Sequence, residues 1–129
     1  MKETQASIYQ WVRGQFGEPK DNWQILGRAE EEFEELREAL HMRAIHGGHQ
    51  EIVVEEIADV VIVLSQIAER LGLGLGEAID RKMAINRARE WVTNGDGTGQ
   101  HVEGKPEKPK VVTTVQVGHL PDLNALHCQ

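Results

Sequence analysis

Apolar residues recur through the first ninety positions at the alternating steps of three and four that mark helices burying one face. Ile8, Trp11, Val12 and Phe16 outline a first helix over about residues 4–16, with Thr4 as its N-terminal cap and Gly17-Glu18-Pro19 as its terminator. A second helix runs from about Asn22 to Arg43 on a stripe of Leu26, Ala29, Phe33, Leu36 and Leu40. His46-Gly47-Gly48-His49 is a loop. A third helix covers about residues 50–71 and is apolar on most sides between Ile57 and Leu64, which predicts the central, most buried position. The alternating Leu/Gly segment from Leu71 to Gly76 lacks the glycine spacing of a phosphate loop and reads as a helix–helix turn. A fourth helix spans about residues 77–92.

Beyond Trp91 the periodicity stops. Asn94 to Gly99 is loop, Gly104 to Lys110 is rich in Lys and Pro, and Val111 to Val117 has strand-forming residues but no partner strand. The expected fold is all-α: a four-helix domain over residues 1–92 and an extended C-terminal tail over 93–129, placed to pack on another subunit.

Composition narrows the function. A chain of 129 residues suits one domain with a modest core. Its longest apolar run, Val60 to Leu64, is far short of a membrane span, and the N-terminus lacks the apolar segment of a secretory signal. The single Cys128 cannot close an internal disulfide, so a reducing cytoplasm is the expected compartment. A formal charge of −7 argues against a nucleic-acid polymer as partner. Small phosphate ligands stay open, because metal ions bridge carboxylates to phosphates.

The carboxylates follow a pattern of their own. At roughly 100° per residue, Glu30, Glu31, Glu34 and Glu38 fall away from the apolar stripe of the second helix, a solvated acidic face. Glu32 falls inside the apolar arc, among Ile25, Ala29, Leu36 and Ala39, and Glu35 sits at its edge. On the third helix, Asp59 is the sole charge in the run from Ile57 to Leu64, and Glu56 projects between Val63 and Ile67. Ionised carboxylates there are costly unless paired with an arginine of a neighbouring helix or bound to metal. Two pairs at i and i+3 bring four carboxylates to one cavity, an oxygen-only donor set suited to Mg²⁺ or Mn²⁺.

On the fourth helix Lys82, Asn86 and Arg89 lie at i, i+4 and i+7, within about 60° of one another, while Arg87 and Trp91 point elsewhere. Two cations and an amide on one face suit a polyphosphate, with a solvated basic face as the alternative. His41, His46 and His49 read as surface positions. Trp11 and Trp23 are core or interface residues, or stacking platforms for a base.

Glu31-Glu32-Phe33-Glu34-Glu35-Leu36, a gap of 20 residues after Glu35, and Glu56-Ile57-Ala58-Asp59 together resemble the paired ExxE and ExxD motifs of the MazG-like all-α nucleotide pyrophosphohydrolases. Ala39-Leu40 and the segment from Lys82 to Arg89 fit the same family, nearest its dATP/dGTP diphosphohydrolase (MazZ-like) branch, over roughly residues 4–103. The resemblance implies hydrolysis of (d)NTP, with dGTP or dATP foremost, to (d)NMP and pyrophosphate. It implies two or more Mg²⁺ or Mn²⁺ ions on Glu32, Glu35, Glu56 and Asp59; of these carboxylates Glu35 is assigned the water's proton, and Glu32 is the second catalytic candidate. It also implies phosphate binding by the fourth helix and a homodimer or homotetramer. Two other readings compete. A di-iron carboxylate bundle needs two Glu-x-x-His motifs, and this chain has only Glu38-Ala39-Leu40-His41. A non-catalytic helical interaction module leaves Glu56 and Asp59 unexplained.

Overall fold

A computed structural model describes residues 2–103; the strand-like segment 111–117, most of the expected tail and Cys128 lie outside the described residues. Four helices come first: α1 (Gln5–Phe16), α2 (Asn22–His46), α3 (Gln50–Arg70) and α4 (Leu75–Ala88). They are followed by a hairpin of β1 (Trp91–Thr93) and β2 (Gly99–His101). Among the described residues no helix is long and apolar enough to cross a membrane.

The helix ends follow local chemistry. Thr4 and Ser7 form a reciprocal cap on α1: the Ser7 amide donates to Thr4 Oγ1 at 3.0 Å and the Thr4 amide to Ser7 Oγ at 2.8 Å. Asp21 caps α2 by accepting from the Gln24 amide at 2.8 Å. Gly47, at φ 68°, closes α2 in the left-handed region open to glycine.

Residues up to Leu75 form one compact unit. In it α3 packs against both α1 and α2, and the small core joins Ile25 and Ala29 of α2 to Val63 of α3, with Ile67 against them. Gln5 fastens the start of α1 to the end of α3, donating to the Leu73 carbonyl at 2.7 Å and to the Glu69 carboxylate at 2.9 Å. Arg70, whose side chain is only 4% exposed, donates to the Pro19 carbonyl at 3.3 Å and faces Glu18 at 3.8 Å. Glu18 also pairs with Arg13 and accepts from the Tyr9 hydroxyl at 3.0 Å. The α1–α2 connection is therefore pinned from α1 and from the end of α3.

Three expectations need correction. The buried side of α2 is Ile25, Ala29 and Glu32; Phe33 and Leu40, from the expected stripe, are exposed. The apolar arc is wider than the part α3 covers, and Phe33 carries Arg37 over its ring instead. α3 is central, yet much of its apolar girth is uncovered, with Val54, Ile57, Val61 and Leu64 exposed. The fourth helix stops at Ala88 rather than running to 92.

The reason for that early stop lies in the second unit, which begins at Gly76. Val92 and Thr93 favour strand, and Asn94-Gly95-Asp96-Gly97 supplies a turn whose two glycines hold φ of 81° and 88°. Trp91 pairs with His101, Val92 with Gln100 and Thr93 with Gly99. A Cβ at Gly99 would stand 2.8 Å from the Val92 carbonyl oxygen, so that register demands glycine. Trp91 Nε1 donates back to the Asn86 carbonyl at 2.7 Å, tying the hairpin to α4.

Candidate metal centre

Glu32 follows Ile25 and Ala29 by seven and three residues, so helical geometry places it on the side of α2 that packs on α3. Glu56 precedes Val63 by seven residues and shares its face of α3. Glu35, one turn beyond Glu32, completes a cluster in which one carboxylate oxygen from each of Glu32, Glu35 and Glu56 lies within 4.8 Å of the others. Glu32 is 6% exposed, Glu56 is half-buried and Glu35 is exposed. Asp59 does not join that trio; it is exposed one turn further along α3, where its charge acts on both Glu32 and Glu56.

Like charge dominates this corner. Burial, a hydrogen bond with Glu35 and the charges of Glu35 and Asp59 push the Glu32 carboxyl above its usual range, and Arg28 opposes the shift. Glu56 is raised as well, first by desolvation and then by Glu35, Asp59 and Glu55. Arg28, four residues before Glu32, pairs with it and with Glu31 at 2.6 Å. Within residues 2–75 no arginine pairs with Glu56 or Asp59, and Glu56 Oε2 is buried without a hydrogen-bond partner. Within residues 2–75, therefore, a salt bridge to an arginine does not account for these acids. A buried, orphaned carboxylate oxygen among repelling carboxylates, all oxygen donors, fits a hard divalent cation.

A groove of about 820 Å³ opens beside the cluster. Trp11, Phe16 and Ile25 give it apolar walls, while Glu32, Asp59 and Gln66 supply polar groups. Trp11 thus borders the carboxylates, whereas Trp23 is 78% exposed and does not line the groove. In the second unit, Lys82 is exposed and Asn86 half-buried on α4. Arg89 lies beyond the end of that helix, so the i+7 spacing no longer fixes its face. His41, His46 and His49 are all exposed.

Two residues were missed. Arg28 could have been found from its i−4 spacing to Glu32. Gln66 carries no sequence signal beyond being polar in an apolar helix.

The sequence model of the MazG-like family matches residues 28–103. Over 49 residues the chain is 45% identical to a dATP/dGTP diphosphohydrolase of Cyanophage S-2L, covering 38% of this chain and 47% of the relative. Over 66 residues it is 41% identical to a dATP/dGTP diphosphohydrolase of Salmonella phage PMBT28, covering 51% and 23%. The chain thus spans less than half the length of either curated relative. A solved structure, the Cyanophage S-2L MazG-like pyrophosphohydrolase bound to dGDP and three catalytic Mn²⁺ ions per active site, aligns with a TM-score of 0.48 and 29% identity, covering 78% of this chain and 89% of that one. With the family model matched over more than half of its length, a span that contains Glu32, Glu35, Glu56 and Asp59, the chain belongs to the MazG-like family.

Proposed function

We propose that this protein is a metal-dependent nucleotide pyrophosphohydrolase that cleaves (d)NTP, with dGTP and dATP preferred, to (d)NMP and pyrophosphate. The observation that carries this reading is the trio Glu32, Glu35 and Glu56, drawn together by two packed helices beside an aromatic-walled groove. Family membership and the names of the two phage relatives support the reaction and the purine preference.

Glu32, Glu35, Glu56 and Asp59 would hold Mg²⁺ or Mn²⁺. Bound divalent metal supplies charge neutralisation at the α-phosphate and an acidified water. Arg28 holds the Glu32 carboxylate in place from one turn below. Glu35, the most accessible of the trio, accepts the water's proton at a carboxylate oxygen. The new bond forms between the water oxygen and the α-phosphorus, the bond to the bridging oxygen breaks, and pyrophosphate leaves. Lys82, Asn86 and Arg89 are assigned to the phosphates. Trp11 is the stacking platform for the base, in preference to Trp23. The exposed apolar face of α3 supports self-association as a homodimer or homotetramer.

Anion-exchange analysis of the products from the common dNTPs and NTPs, with Mg²⁺ and with Mn²⁺, tests the reading. Monophosphate plus pyrophosphate, with purines ahead, is expected. Release of orthophosphate, or an undiminished rate in excess chelator, would overturn it. For the phosphate side, Lys82→Ala should cost about 2–4 kcal/mol in kcat/KM, the scale for one electrostatic donor, and the Arg87→Ala control far less. Equal losses would remove α4 from the site.

A further inference from the structure

The groove holds a polar group that the carboxylate chemistry does not use. Gln66 is only 8% exposed and lines the groove, yet its side-chain amide makes no hydrogen bond among the described residues. Its amide atoms are not among the buried, partnerless ones, so they meet the water of the groove, and a ligand entering there can take that water's place on a donor and an acceptor that no protein group uses. The other amide on the groove, Gln24, is committed, because its Oε1 accepts from the Lys20 backbone at 2.7 Å. Ser65, next to Gln66 in the chain, is satisfied by donating to the Ile62 carbonyl at 2.7 Å.

Position matters as much as chemistry. Glu56, Asp59, Val63 and Gln66 follow one another at steps of three, four and three, so they share one stripe of α3. Gln66 stands two turns beyond Asp59, a rise of roughly 10 Å, about the reach of a nucleoside. A nucleotide with its phosphates at the carboxylates and its sugar along α3 would bring its base to Gln66. There Trp11 and Phe16, both largely exposed at the rim, offer ring surface. A carboxamide presents a donor and an acceptor side by side, which matches the adjacent donor and acceptor on a purine edge.

Resting on the nucleotide-hydrolase reading above, we propose that Gln66 is the base-reading residue of the groove, its amide hydrogen-bonding the edge of a bound purine. Gln66 is a specificity residue and has no part in the proton transfers.

The test uses the full chain, the four dNTPs and 2-deoxyribose 5-triphosphate, which has no base. Wild-type protein should prefer a purine dNTP to the base-free triphosphate. Gln66→Leu should lose about 10- to 100-fold in kcat/KM on that dNTP, chiefly through KM, and change little on the base-free compound. Calorimetric Mn²⁺ binding should be the same in both proteins. A Gln66→Leu variant that retains the wild-type ranking of bases overturns the inference, as does an equal loss on the base-free triphosphate. Should Gln66→Leu fail to fold, wild-type protein that does not distinguish purine dNTP from base-free triphosphate overturns it unaided. Gln66→Asn, which keeps the amide but withdraws it by one methylene, then supplies the variant arm, with a loss confined to the dNTPs expected. Wild-type protein inactive on every triphosphate defeats the hydrolase reading itself, and this outcome is distinct from an active enzyme indifferent to Gln66.

Discussion

The two sides of α3 invert the usual rule of apolar inside and polar outside. One stripe, Glu56, Asp59, Val63 and Gln66, faces α2 and the groove and carries three polar residues, with Gln66 buried and Glu56 half-buried. The stripe two residues away, Val54, Ile57, Val61 and Leu64, is roughly opposite on the helix and is wholly apolar, yet every member is exposed. Each stripe costs stability in the isolated chain, one through desolvated charge and the other through wetted hydrocarbon. A helix that breaks the rule on both sides suits the two partners proposed for it: a cation and its ligand on the first, a second copy of the chain on the second.

The sharpest way to break the comparison is on the polar stripe. Glu56→Gln should lower kcat by about 10²–10³-fold, the scale of losing one group that stabilises a developing charge. The same change should raise the melting temperature of metal-free protein, because it removes a carboxylate repelled by Glu35, Asp59 and Glu55. Full turnover, or a lowered melting temperature without metal, would return Glu56 to a structural role.

On the apolar stripe the expected effect is on assembly. Leu64→Asp places an unpaired charge on the uncovered face, and an interface there should weaken by about 3 kcal/mol. Light scattering should show a lower mass while Mn²⁺ binding is retained. A variant with unchanged mass would mean that this stripe is not the contact.

Much of this was legible in the sequence for one physical reason: helical periodicity maps residue number onto direction. That mapping put Glu32 on the core side and Glu30, Glu31, Glu34 and Glu38 outside, and the structure exposes those four while burying Glu32. It failed where its premise failed. Arg89 was assigned a face by extending α4 past Ala88, but strand-forming Val92 and Thr93 and a glycine turn had already ended the helix. The same limit applied to burial on α3, since periodicity shows which residues share a side but not how much of that side another element covers. Gln66 escaped notice because an amide in an apolar helix becomes informative only when its hydrogen bonds can be counted.

Titration and metal should sharpen the polar stripe further. Glu32 and Glu56 both hold protons above the ordinary glutamate value of 4.5. Above that value the native state binds more protons than the unfolded chain, so metal-free stability should be greatest in mild acid and fall as pH rises through the raised values. With Mn²⁺ present the sign reverses, because the ions bind the ionised carboxylates. At a hundred times the dissociation constant they add about 2.7 kcal/mol. Urea melts across mildly acidic to neutral pH, with and without Mn²⁺, check both slopes. Parallel slopes would separate the carboxylates from the metal.

The smallest effect tests the groove itself. Gly27 sits within α2 and lines the groove, and a Cβ built on it meets nothing within 4 Å. Glycine inside a helix costs about 0.5–1 kcal/mol relative to alanine through the freedom it retains in the unfolded chain. Its surroundings offer no steric reason for it, so Gly27→Ala should stabilise the protein by about that amount. If the groove seats a nucleoside, the added methyl projects into the occupied space. KM should then rise severalfold while kcat and Mn²⁺ affinity hold, because the added methyl meets no atom within 4 Å and leaves the carboxylates in place. A stabilised variant with unchanged KM on every dNTP would place the substrate elsewhere than between Trp11, Gly27 and Gln66. A destabilised one would show that α2 is not free to accept a side chain at that position.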